Sequence, residues 1–200
     1  MKLTLFACAG GTLVLPAGAS LLLSREDGGN LIVHPPRPVW ERSLLDVDEL
    51  DAWGRLIAAS GAAMIATLPQ LEGGCVNYWE AGNWALNGAA EPLGPKTASA
   101  HRNVHQHLIG RSRFSANPRS GWGESPHFPL FSERHEWARA HQRLTPAECT
   151  AIVKHAEHAL RESYGFGADA IRPWSECPHC AYPSIAKAGT NCEECSGERR

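Results

Sequence analysis

Two hundred residues are enough for one good-sized domain, or a domain with a small appendix. An apolar share of 43% supports a real core, while 20% charged residues and a net charge of −2 give no global pull toward nucleic acid or an anionic membrane. No apolar run is clean enough for a transmembrane helix, so the sequence indicates no membrane partner.

The first 23 residues combine Lys2, an apolar run and Ala17-Gly18-Ala19, the ingredients of a secretory signal. Gly10-Gly11 and Pro16 interrupt that run, and it continues without a break into domain sequence. The cysteines favour a reducing compartment. Four are paired at metal-binding spacing, and Cys8, Cys75 and Cys149 leave an odd number for disulfides. A cytoplasmic protein is therefore expected.

Strands are predicted over 12–15, 19–23 and 30–34, with a turn at 25–29. Pro35-Pro36-Arg37-Pro38 ends this sheet segment, because proline cannot donate to a ladder. A helix follows. Asp46 and Glu49 form a capping box, and Leu50, Trp53, Leu56, Ile57, Met64 and Leu68 recur at helical spacing before Gly73-Gly74. Strands are expected again at 75–79 and 83–87, then a loop over 88–96.

The stretch 98–111 is the most informative. As one β-strand it alternates, so His101, Asn103, His105 and His107 share a face while Val104 and Leu108 point to the core. Such a face can hold a phosphate, a metal or a nucleophilic histidine. Residues 114–130 are rich in Ser, Gly, Pro and Asn and are expected to be loop. Thr145-Pro146-Ala147-Glu148 starts a second helix, which Gly165 ends. Its His155 and His158 are expected at the surface.

Cys177-Pro178-His179-Cys180 and Cys192-Glu193-Glu194-Cys195 are two Cys-x-x-Cys knuckles. Four thiolates complete a tetrahedral zinc shell with no open position, so Zn2+ at Cys177, Cys180, Cys192 and Cys195 is expected to be structural. Lys187, Arg199 and Arg200 are too few to suggest nucleic acid.

Several of these segments together resemble the histidine triad superfamily of nucleotide hydrolases and nucleotidyltransferases. Asn103-Val104-His105-Gln106-His107-Leu108-Ile109-Gly110-Arg111 fits the family's strand at every position but its first histidine, which here is Asn103. Gly28 through Pro35 resembles the family's strand that ends in proline, 43–57 its long helix, and Asn87-Gly88 the Asn before its phosphate loop. The family's Gly-Gln-Ser loop is replaced by Ala98-Ser99-Ala100, and the stretch after Asn87 is longer than usual.

The resemblance implies an α+β fold: a histidine-triad-like antiparallel sheet with flanking helices, followed by a small zinc ribbon. The corresponding division is 1–113 for the catalytic domain, 114–170 for a loop and helical extension, and 171–200 for the ribbon. It also implies a covalent nucleotidyl-imidazole mechanism at a nucleotide α-phosphate. By position His105 is the nucleophile and His107 a phosphate donor, with Asn103 in the place of a proton donor. Asn87, Ser99, His101 and Arg111 are candidates for substrate contacts, His101 also as a substitute acid. The partner is then a nucleotide or nucleotide conjugate, with room for a homodimer. Two rival readings belong to other classes: a metalloenzyme using His101, His105 and His107 as ligands, and a non-catalytic nucleotide-binding zinc-ribbon adaptor.

Overall fold

The computed structural model describes residues 2–197; Met1, Glu198, Arg199 and Arg200 lie outside the described residues. The chain is α+β. Its strands are β1 (Leu3–Cys8), β2 (Gly11–Leu15), β3 (Asn30–His34), β4 (Cys75–Ala81) and β5 (His105–Arg111), with β6 (Ser175–Glu176) and β7 (Pro183–Ser184) as a small separate pair. Its helices are α1 (Val47–Thr67), α2 (Ala98–His101), α3 (Arg134–Arg139), α4 (Pro146–Glu162) and α5 (Glu193–Gly197). The five long strands form one antiparallel sheet in the order β1-β2-β3-β5-β4. The β5 strand is thus covered on both edges.

Strand alternation divides the sheet into two faces. One carries Leu3, Leu13, Leu15, Leu31, Val33 and Leu108, all fully buried in the main core with Trp53, Leu56 and Met64 of α1. Cys149, Ile152, Val153, Ala156 and Leu160 of α4 join the same core, and α4 packs along α1. Both helices start as their sequences predict. Asp46 Oδ1 accepts from Glu49 N at 2.8 Å, and Thr145 Oγ1 accepts from Glu148 N at 3.3 Å, each with the reciprocal glutamate bond. The stretch beyond residue 113 is no loose appendix. Cys177, Tyr182, Cys192 and Cys195 lie in that same core, so the three segments 1–113, 114–170 and 171–200 share it.

Four local expectations need correcting. The strand Leu3–Cys8 is additional, and its apolar run hides a bulge between Thr4 and Phe6 that buries Leu5 and Phe6 together. Residues 19–23 are not a strand, for 18–20 form a 3₁₀ turn. There Asn30 Oδ1 accepts from Leu22 N (3.0 Å) and Leu23 N (3.4 Å), so a side chain takes the place of a ladder partner. Residues 83–86 are also a 3₁₀ turn, because Gly82 at φ 139° breaks away from β4. Finally, the strand begins only at His105; residues 98–101 form α2, which has no β-branched residue to favour extension. The helix α3 had no anticipated counterpart.

Candidate active site

The second face of the sheet carries the histidines. His105 and His107 alternate with the core-facing Gln106 and Leu108 along β5. Opposite them, in register, stand Ala81 and Trp79 of β4 and Ile32 of β3. His34 ends β3 on this same face, two residues beyond Ile32. Its ring lies 5.3 Å from that of His105, which lies 5.0 Å from that of His107. Three imidazoles from two neighbouring strands therefore form one patch.

The tautomer of His105 follows from its hydrogen bond. Its Nδ1 lies 2.9 Å from the carbonyl oxygen of Asn103. A carbonyl can only accept, so Nδ1 carries the proton. In the neutral ring Nε2 then has a free lone pair. The carbonyl is delivered by a close approach: a Cβ on Gly82 would sit 2.8 Å from Asn103 O, at a φ that L side chains rarely adopt. Burial holds the His105 pKa below its usual value, opposing the Asn103 carbonyl, and the charges of Lys2 and Arg102 act the same way as burial. Burial also pushes His107 down to about 3, helped by His105, His34 and Lys2. His34 is likewise lowered to about 3, first by burial, then by Lys2 and His105. All three rings are neutral at pH 7. His107 is 4% exposed, and its Nδ1 has no hydrogen-bond partner.

These rings line a cavity of about 370 Å³. Its other walls are aromatic and polar. Trp79 stacks on Phe128 at 4.2 Å and leans on His107 at 5.4 Å, and Trp84 closes another side. Lys2 and Asn83 reach the same cavity. Arg42 and Arg102 stand nearby, but both are engaged by acids: Arg42 Nε lies 2.6 Å from Glu80, and Arg102 Nη1 lies 3.0 Å from Glu41. Among the described residues Lys2 forms no ion pair, and it is the only Lys or Arg lining the cavity.

Of the residues singled out from the sequence, His101, Asn103, His105 and His107 meet in this cavity. His101 arrives from α2 and not by strand alternation, and its Nδ1 lies 3.0 Å from Thr97 O. Asn103 precedes the strand and is exposed. Asn87, Ser99 and Arg111 are elsewhere. Asn87 Oδ1 accepts from Ala89 N at the rim of a different cleft, and Ser99 is exposed on α2. Arg111 is 4% exposed, and its Nη2 donates to Gly121 O (2.7 Å) and Glu124 O (2.8 Å), tying down the 114–130 loop. Sequence reading overlooked His34, Trp79, Trp84 and Lys2 as site residues. A signal for His34 and Trp79 did exist, because strand parity puts them on the histidine face. Lys2 had none.

The second cluster is sulfur. The ligand atoms of Cys177, Cys180, Cys192 and Cys195 all lie within 4.8 Å of one another. The Sγ pairs Cys180–Cys192 and Cys177–Cys195 are 3.5 and 4.0 Å apart. These bracket the edge of about 3.8 Å that a tetrahedron with metal–sulfur bonds of ~2.3 Å requires, and they are far longer than a disulfide. Cys192 N also donates to Cys177 Sγ at 3.3 Å, a contact suited to a thiolate. The donor set fits a metal ion. Among the described residues no other group of three or more His, Cys, Asp or Glu converges in this way. The proposed ligand set His101, His105 and His107 does not.

No family model matches the chain, and no curated protein or solved structure matches it either. No helix among the described residues is long and apolar enough to cross a membrane.

Proposed function

We propose that this cavity transfers or hydrolyses a nucleotidyl group, through a covalent intermediate between the α-phosphorus and His105 Nε2. The observation that carries the reading is the bond between His105 Nδ1 and the Asn103 carbonyl. It orients the ring and leaves the other nitrogen as a ready nucleophile that needs no separate base. The depressed pKa keeps that lone pair free at neutral pH. His107, adjacent and buried, is placed to donate to a phosphoryl oxygen as charge develops there. Trp79, backed by the stacked ring of Phe128, offers a flat apolar wall for a nucleobase. A cavity of about 370 Å³ falls in the range of small-molecule sites. The sheet order, the place of the histidines on β5 and the capped helix α1 all support a histidine-triad-like domain. The cysteine cluster is read as a structural Zn2+ site, since four thiolates leave no position open for substrate.

The test is a turnover screen of dinucleoside polyphosphates, nucleoside phosphoramidates and nucleotide sugars, with and without phosphate acceptors. Intact-protein mass spectrometry at neutral pH should catch a nucleotidyl adduct in wild type and none in His105→Ala. Turnover with no adduct, and no loss in His105→Ala, would exclude the covalent route. Nucleotide binding without turnover would favour the adaptor.

A further inference from the structure

Charged groups and proton donors are distributed unevenly around His105. Asn103 stands where the resembling family has a histidine, and an amide cannot release a proton. A leaving group that must be protonated as it departs has no help from that position. On another side of the ring the chain supplies charge instead. Lys2 immediately precedes Leu3, whose side chain enters the main core, so alternation turns Lys2 to the histidine face. It reaches the cavity, is exposed, and has no carboxylate partner among the described residues. His34 lies between β2 and β5 on that face, 5.3 Å from His105.

We propose that Lys2 and His34 form an anion subsite beside His105, which receives the departing phosphate, so that the site favours nucleotides whose leaving group is itself a phosphate. This rests on His105 as the nucleophile. In the first step His105 Nε2 forms a bond to the α-phosphorus. The bond from that phosphorus to the bridging oxygen breaks, and its electron pair leaves on the oxygen of the outgoing phosphate. No proton is needed, because a phosphate or pyrophosphate anion is a stable product; Lys2 balances its charge. Nδ1 keeps its proton, donated to the Asn103 carbonyl, throughout. In the return step an oxygen of an acceptor phosphate bonds to the same phosphorus, and the P–N electron pair goes back to Nε2. An anionic acceptor brings no proton, so no general base is called for. An anion between them would favour the charged forms of Lys2 and His34, against the desolvation that lowers both pKa values.

The experiment uses the full chain with Lys2→Met and His34→Gln, and pyrophosphate as the probe. Isothermal titration should give a Kd about tenfold weaker in Lys2→Met, the expected loss of one charge-assisted contact. Turnover of a substrate with a pyrophosphate leaving group should fall about tenfold as well, while a phosphoramidate with an amine leaving group changes much less. His34→Gln should weaken pyrophosphate too, with its thermal transition checked against wild type. Equal pyrophosphate affinity in Lys2→Met and wild type, or none in wild type, overturns the subsite. The two hypotheses fail separately. Lys2-dependent pyrophosphate binding without any nucleotide turnover keeps the subsite and removes the transferase. Transfer through His105 that is indifferent to Lys2→Met on both substrates removes the subsite and keeps the transferase.

Discussion

The imidazole cluster and the thiol cluster are assembled by opposite means. The four sulfurs come from two short knuckles close in sequence, lie within 4.8 Å of one another, and sit largely within the main core. The imidazoles come from β3, β5 and α2, stay 5.0–5.3 Å apart where ring pairs are close, and face a cavity. A metal ion needs donors aimed at a single centre, with nothing left over. A group-transfer site needs them aimed at different atoms of one substrate, with one lone pair unspent.

The sharpest break of this contrast is His105→Ala. It should leave the fold intact, because the ring is only half-buried at the cavity wall, and should lower turnover ~10³-fold or more as a covalent catalyst is lost. Steady-state rates on the best substrate of the screen measure it. More than about a tenth of wild-type activity would remove His105 as the nucleophile, since the residual barrier would be too low.

On the thiol side the effect falls on stability. Cys192→Ser, or chelation of the wild type, should cost on the order of 3 kcal/mol. Because Cys177, Cys192 and Cys195 share the core with α1 and α4, the whole domain should melt earlier in one transition. Calorimetry with and without chelator decides this, and elemental analysis should find one zinc per chain. A separate low-temperature transition with an unchanged main peak would show that the ribbon is energetically independent.

Asn103→His probes the missing proton donor. General acid help is worth roughly 10²–10⁴-fold, and the gain should fall on amine leaving groups far more than on phosphates. Equal acceleration of both classes would put protonation elsewhere, with His101 the first candidate because it lines the same cavity.

The last effect is a pH dependence of stability. His34 and His107 are each lowered from 6.5 to about 3 in the folded state. The unfolded chain therefore binds more protons between those values. Stability is complete above about pH 6.5 and declines as pH falls toward 3, by at most ~1.4 kcal/mol per pH unit for each group. Urea midpoints at pH 7 and pH 5 should drop less in His34→Gln than in wild type. An identical drop would mean that His34 titrates normally.

Much of this was legible before the fold was known, and for local reasons. The capping boxes at Asp46 and Thr145 specified both long helices, because the cap and its glutamate lie within one turn. Val104 and Leu108 pointed to the core while His105 and His107 did not, because a strand's period is two. The Cys-x-x-Cys pairs announced their convergence by spacing alone. Where the sequence misled, a longer-range contact had won. Arg111 ends the histidine strand with the right parity, yet the 114–130 loop folds over it and takes its Nη2 away from the cavity. Asn87 lies at a plausible place in the chain, but the turn after Gly82 carries it to another cleft.

By itself the sequence determined the two long helices, which face of β5 carries imidazole, and which four sulfurs meet, since periodicity, capping and short spacing are encoded within a few residues. Only the tertiary structure decided who stands beside His105. The order β1-β2-β3-β5-β4 brings His34 next to it, the position just before β1 puts Lys2 in the same cavity, and Gly82 lets Asn103 bring its carbonyl to Nδ1. Neighbours across strands depend on sheet order and register, which are settled by how all the elements bury their apolar faces together and not by any one segment.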